Sequence, residues 1–459
     1  MRAPSPRQFA ALALCGGVIA ILTGCGKGGG PGAAGTGSSS PSPPPQARGV
    51  AGIATKNTTR LGGADPADDA AAVAQAVYPG LTPATRPQAV VLVNEHDWAS
   101  ALASSSLAAA PLGAPVLLSD GDSLPESSNR ALGALHPLGA TALGGAQVVS
   151  IGARGAVPGG YRVKALGGTG AAATGTPGTT SAPDTTSEPS PTSPRRKAKP
   201  AGGLATSTFP GEVEAEARAA VDVLHALEAA RGHAPREAIV VPVDAPKPLQ
   251  MPAASLAAES GAPILFVTSS GVPPPTRDAL QTLKHATIYV IAPKALHASA
   301  YAALTRLGTV VHITGEAGPG EGPAHTSNDP VENAISVSRF SQGTFGWGIH
   351  EAGHGLVFAN VDRPLDAPAA APLSAHGDYG PLLLLQSSAA VPSALTHYLS
   401  NIEPGYTTAV PPVREVYNHG WLIGDERAIS ALAQAELDAV LEIAPRQPSA
   451  AEQSVAEAE

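Results

Sequence analysis

The sequence predicts an α/β protein built from three tandem, small, doubly wound modules of βαβαβ type. Three observations carry that expectation. An apolar run, an alanine-rich stretch and a proline-led apolar run recur in that order three times. Hydrophobic residues make up 43% of the 459 residues but aromatics only 4%, so the cores must be built from Ala, Val, Leu and Ile, which suits helices packed on a parallel sheet. Two stretches rich in Gly, Ser, Thr and Pro interrupt the pattern, and they cannot bury enough surface to fold.

The N-terminus reads as an export segment. Arg2 and Arg7 precede an apolar run from Phe9 to Leu22, which is too short for a stable bilayer span and has signal-peptide proportions. It ends in Leu22-Thr23-Gly24-Cys25, which resembles the bacterial lipobox, with small residues before the cleavage point and a thiol after it. We therefore expect residues 1–24 to be a lipoprotein signal peptide, Cys25 to carry the lipid, and residues 25–49 to be a flexible tether. The two cysteines, Cys15 and Cys25, both lie in this region, so the folded part has no thiol chemistry and no disulfide. No later run has the roughly 18 consecutive apolar residues of a membrane-spanning helix.

The first module is read over residues 50–168. Ala89–Val93 is a buried strand, Leu102–Ala109 an alanine-rich helix, and Val116–Leu118, opened by Ala114-Pro115, a second parallel strand. Proline at the strand start costs no ladder hydrogen bond. Ser127–Leu135 is a second helix and Gln147–Ile151 a third strand. The second module, residues 208–314 behind a linker at 169–207, repeats this with Ala238–Pro242, Pro252–Ala258, Ile264–Phe266 after Pro263, Thr276–Leu283 and Thr287–Ile291. The third, residues 315–445, repeats it with Gly355–Ala359, Ala367–Ala375, Leu382–Leu384 after Pro381, and Ala394–Ile402; its third strand is either Arg414–Tyr417 or Gly420–Ile423. Residues 446–459 form a polar tail. Strand, crossover helix and parallel strand in this order imply right-handed crossovers.

These residues resemble the cell wall-binding repeat 2 family. The resemblance is carried by Arg60-Leu61-Gly62-Gly63-Ala64-Asp65, by Asp97-Trp98-Ala99-Ser100-Ala101-Leu102, and by the Pro-apolar motif at Pro115-Val116-Leu117-Leu118, Pro263-Ile264-Leu265-Phe266 and Pro381-Leu382-Leu383-Leu384. Pro66-Ala67 stand where the family has an Arg-Tyr pair. The resemblance implies three modules around a pseudo-threefold axis that bind anionic secondary cell-wall polymer or peptidoglycan-linked polysaccharide. It implies no cofactor and no catalysis.

Ligands of open α/β sheets bind beyond the carboxyl ends of the strands. The residues beside the Pro-apolar strands are therefore the candidate contacts: Pro115, Ser119, Asp120, Pro263, Thr268, Ser269, Pro381, Gln386 and Ser387. A net charge of -9 argues against nucleic acid, which needs clustered Lys and Arg. The sequence thus points to an extracytoplasmic, lipid-anchored, wall-associated protein, with a surface protein-interaction scaffold whose modules have lost polymer binding as an alternative.

One motif supports an enzyme instead. His350-Glu351-Ala352-Gly353-His354 has the H-E-x-x-H form of a zinc metallopeptidase, in which two His one turn apart on a helix hold the metal and Glu is the base. Gly346, Gly348, Gly353 and Gly355 crowd it, however, and the strand pattern starts at once, so the motif is expected at a loop-to-strand junction. A third ligand would come from Asp366, His376, Asp378 or Glu403. His136, His225, His285 and His397 read as isolated, and Glu212, Glu214, Glu216 and Asp222 as one solvated helix face.

Overall fold

The computed structural model describes residues 54–167, 209–314, 327–376, 379–406 and 417–445. The signal segment, Cys25, the tether, the linker at 169–207 and the tail lie outside the described residues. No described helix is long and apolar enough to cross a membrane.

The first region contains β1 (Thr58–Leu61), α1 (Pro66–Val77), β2 (Val90–Asn94), α2 (Trp98–Ser104), β3 (Val116–Ser119), α3 (Glu126–Leu135), β4 (Val148–Ile151) and β5 (Val163–Leu166). Asp65 caps α1 by accepting from the N–H of Asp68, and Pro66 follows at the first helical position, where its missing N–H costs nothing. Asp97 caps α2 in the same way through the N–H of Ser100, 3.0 Å away. The sheet order is β3-β2-β4-β5, and all its pairings are parallel. β2, β3 and β4 are buried on both faces, as near-continuous apolar runs require.

The second region contains α4 (Gly211–Arg231), β6 (Glu237–Pro242), α5 (Lys247–Gln250), α6 (Pro252–Ser260), β7 (Ile264–Val267), α7 (Pro274–Thr282), β8 (Thr287–Val290), α8 (Ala298–Leu304) and β9 (Thr309–His312). Its sheet, β7-β6-β8-β9, repeats the order of the first.

The third region contains α9 (Pro330–Arg339), β10 (Ser341–Gln342), β11 (Phe345–Gly346), β12 (Gly355–Asn360), α10 (Asp366–Ala375), β13 (Leu382–Leu385), α11 (Ser393–Asn401), β14 (Gly405–Tyr406), β15 (His419–Ile423), α12 (Ala431–Val440) and β16 (Ala444–Pro445). β10 and β11 form a small hairpin, and β14 pairs with β16. Of the two segments open as the third strand, His419–Ile423 takes the place, and Tyr417 lies outside the strand.

The sheet of the third region departs from the sequence boundaries. Its order is β1-β15-β12-β13, so its fourth strand comes from the start of the chain, with Thr58, Thr59, Arg60 and Leu61 in parallel register with Gly420, Trp421, Leu422 and Ile423. The first two sheets take their fourth strands from the segments that follow them, β5 and β9.

The three regions meet through their alanine-rich helical segments. α10 packs on α6 and α1, and α6 packs on the 3-10 turn Ser105–Ala108. Ala108, Ala258 and Ala371, one from each region, form a buried cluster of their own, which marks the pseudo-threefold axis. Small residues let three backbones approach there.

Candidate functional site

The carboxyl ends of the strands are equivalent in the three sheets. Register pairs Asn94 with Ser119, Pro242 with Val267 and Asn360 with Leu385. The first residues past the strands are therefore Asp120, Thr268 and Gln386. The turns that follow in the first two sheets are the same: Asp120 and Ser123 exchange N–H···O bonds of 2.9 Å, and Thr268 and Gly271 do so at 2.9 and 3.4 Å.

Each turn is stitched to its neighbour. In the first sheet Asn94 Oδ1 accepts from the N–H of His96 at 3.1 Å and of Gly121 at 3.3 Å. In the second, Asp244 accepts from the N–H of Ser269 at 2.8 Å and from its hydroxyl at 2.7 Å. In the third, Gln386 donates from Nε2 to Asp329 at 2.8 Å, and that carboxylate also caps α9. A crevice of about 320 Å³ opens at the second strand end, lined by Asp244, Pro246, Leu249, Ser269 and Asn328 among others. A larger one, of about 520 Å³, lies between β5 and α4, with Lys164, Asp222 and His225 on its walls.

The candidate contacts divide. Asp120, Gln386 and Ser387 are exposed and Ser269 is partly so. Ser119 is fully buried, its hydroxyl directed at the carbonyl of Val93. Thr268 is also buried, with its hydroxyl bonded to the carbonyl of Gly271. Pro115, Pro263 and Pro381 are buried at the opposite, amino ends of their strands. A four-residue strand rises about 13 Å at roughly 3.3 Å per residue, so prolines and strand-end polar groups cannot line one crevice.

Glu95, His96 and Asp120 bring their ligand-type atoms within 4.8 Å of one another at the first strand end. His96 Nε2 lies 3.0 Å from Asp120 Oδ1, and burial, with the nearby Asp120 charge, raises the Glu95 carboxyl above its usual range. All three strand ends thus carry carboxylates, a feature that sequence reading assigned only to Asp120.

The His350–His354 segment has no helix; it is a loop running into β12, as expected. Gly353 sits at φ 104°, a conformation glycine tolerates, and Asn418 Oδ1 accepts from the N–H groups of Gly353 and His354 at 3.0 and 3.1 Å. Burial lowers the His354 imidazole below its usual value. Among the described residues, no metal-type cluster includes His350, Glu351 or His354. Of the possible third ligands, Asp366 is engaged with Arg363, His376 stacks on Tyr78 at 5.2 Å, Glu403 belongs to no such cluster, and Asp378 lies outside the described residues.

One expectation is corrected. Glu216 is not on a solvated face. It is half-buried, and burial first, then the neighbouring Glu212 and Asp97 charges, raise its carboxyl to about 7; Asp222 is half-buried too, accepts from the N–H of Gly167 at 3.2 Å, and is raised by burial above its usual range. α4 packs against α2, which brings Glu216 toward Asp97, the cap of α2.

Fold and strand ends together define a class: a tandem α/β repeat protein whose strand ends carry exposed hydrogen-bonding groups. Within that class, residues 60–154 match the family model described as cell wall binding domain 2 (CWB2). The structure is similar to Cwp6 from Clostridium difficile, with a TM-score of 0.55 and 17% identity over 87% of this chain and 50% of that one. It is also similar to Cwp8 from Clostridium difficile, with a TM-score of 0.53 and 14% identity over 84% of this chain and 52% of that one. The chain thus spans about half the length of these structures. No curated protein matches it.

Proposed function

We propose that the chain is a surface lipoprotein whose three modules hold a cell-wall polysaccharide non-covalently, with no cofactor and no catalytic step. The observation that carries this reading is the CWB2 match over residues 60–154, together with the recurrence of the same strand-end geometry at Thr268 and Gln386. The second and third sheets then act as divergent copies of the first, over residues 208–314 and 315–445.

The chemistry of the strand ends favours a hydroxyl-rich ligand. Asp120, Asp244 and Asp329 are acceptors suited to sugar hydroxyls, while Gln386 and Ser387 supply neutral donors. On this reading the anionic groups of a secondary wall polymer point away from these carboxylates, and its sugar hydroxyls make the contacts. On this reading Cys25 carries the lipid and holds the modules at the outer face of the membrane.

The test is co-sedimentation of the purified chain with cell walls, before and after acid extraction of their secondary polymers. Binding that vanishes on extraction supports the reading. Binding that survives assigns the ligand to peptidoglycan itself, and absence of binding to both preparations overturns wall binding. Metabolic labelling with a fatty acid, comparing the wild type with Cys25→Ser, tests the anchor.

A further inference from the structure

The seam between the first and third regions buries more acid than base. Asp69 on α1 and Asp366 on α10 are both fully buried, and both face Arg363, the residue three before Asp366. Arg363 donates from Nε to Asp366 Oδ2 at 2.9 Å and from Nη2 to Asp69 Oδ2. Asp69 Oδ1 accepts from the N–H of Gly63 at 2.7 Å. The other oxygen of Asp366, Oδ1, is buried and receives no hydrogen bond from any donor, and the carboxyl beside it is that of Asp69. Two carboxylates and one guanidinium would leave an uncompensated negative charge in a dry interface, which is far costlier than holding one proton.

The surrounding elements supply no second cation. β3, β12, β13, α2 and the 3-10 turn Ser105–Ala108 contain no charged residue. On α3, Arg130 faces Glu126. Arg60 of β1 gives its N–H groups to Gly424 O, Asp425 O, Ile429 O and Gln434. Arg427 pairs with Asp425, and Asp68 accepts from the N–H of Ala64. On α6 the one charged residue is Glu259, a further acid, and Glu426 and Asp362 are acids too. His376, after the last turn of α10, stacks on Tyr78.

We propose that Asp69 and Asp366 share one proton at neutral pH, and that losing it loosens the first region from the third. With the proton in place, Asp366 donates to Asp69, Asp69 carries the charge that Arg363 neutralises, and every polar atom of the node is satisfied. Without it, two carboxylates repel across the seam between α1 and α10. Burial holds both carboxyls above the usual range, and the Asp69 charge pushes Asp366 further the same way, in keeping with a retained proton. The seam between the second and third regions is built differently. There Asn333 donates to the carbonyl of Leu249 at 3.0 Å beside the buried Gln250, and neither side chain titrates. The device therefore acts on one of the joints around the axis and would make opening of the assembly sensitive to alkaline pH.

The experiment is hydrogen exchange on the full chain between pH 6 and 9, corrected for intrinsic rates, read on peptides from α1 and α10 and, as reference, from α6 and α9. We expect protection of α1 to fall about tenfold or more relative to α9 as pH rises, and Asp366→Asn, which keeps a donor but cannot ionise, to flatten that loss. Asp69→Asn is the second variant, should the first not fold; it too should flatten the profile. In a Glu216→Gln background, which removes the other acid raised to about 7, an infrared carbonyl band of a protonated acid at pH 7 that is lost on adding Asp366→Asn reports the proton directly. A flat wild-type profile, or variants as steep as the wild type, would overturn the proposal.

Discussion

Arg60 on β1 donates from Nη2 to Oε1 of Gln434 on α12, 2.9 Å away across 374 residues of chain. Gln434 in turn donates from Nε2 to Thr58 Oγ1 at 3.1 Å, and Asp438, one turn further along α12, accepts from the N–H of Asn57 at 2.7 Å. The first strand is thereby fastened to the last helix, and the fourth place in the third sheet is filled by a segment that leads directly into α1 of the first region.

That clasp should be strongly stabilising. Arg60→Ala leaves the carbonyl of Ile429 buried without its donor and should cost about 2–4 kcal/mol, given that charged hydrogen bonds contribute roughly 1.5–3 kcal/mol. Urea denaturation measures it. Arg60→Lys should recover only part, because an ammonium cannot reproduce the planar fork of a guanidinium. A change below about 0.5 kcal/mol, the usual range for an unremarkable surface site, would show that the clasp is dispensable.

The axis should be intolerant of bulk. Ala371 is fully buried against Ala108 and Ala258, so Ala371→Leu should cost about 1–3 kcal/mol by overpacking. Ala371→Gly should cost less than the leucine. Thermal unfolding of both variants tests the order.

Glu216 gives a signed pH prediction. Its carboxyl is raised from 4.5 to about 7, so the folded chain binds more protons than the unfolded chain across that window. Stability from this group is therefore complete below the unfolded value and is lost as pH rises through about 7. Glu216→Gln should raise the unfolding midpoint at pH 8 and leave it unchanged at pH 4. An equal change at both pH values would assign the effect to packing.

The histidine motif should be silent. Glu351→Gln and His354→Ala should leave co-sedimentation with cell walls unchanged, because both side chains lie in the loop before β12 and not at a carboxyl strand end. A zinc-dependent peptidase activity abolished by Glu351→Gln would refute the non-enzymatic reading.

The strand ends should discriminate. Asp120→Ala and Gln386→Ala alter exposed groups and should weaken wall binding severalfold at unchanged stability. Ser119→Ala, at a buried hydroxyl, should leave binding intact. The opposite pattern would move the contact surface elsewhere.

The repeat was legible because its signals are local. β2, β6 and β12 are unbroken apolar runs, β3, β7 and β13 begin just after a proline, and α3 carries buried leucines at helical spacing, so each element declares itself within ten residues or so. The strand ends followed from the rule for open α/β sheets, although register alone showed that Ser119 belongs to the strand and Asp120 to the crevice. The partner of β1 was not legible. Its Thr58 and Arg60 resemble loop residues until Gln434 and the carbonyls of the 424–429 turn satisfy them, and backbone pairing carries no mark of which distant strand is meant. Asp69 and Asp366 were hidden for the same reason: each reads as an ordinary acid near a helix start, and only packing of α1 against α10 makes them a buried pair. By itself, then, the sequence determined the kind and order of the elements, because helix and strand periodicity act over a few residues. Only the tertiary structure decided which edge closes the third sheet and which acids share a seam, because those choices rest on contacts between residues hundreds of positions apart.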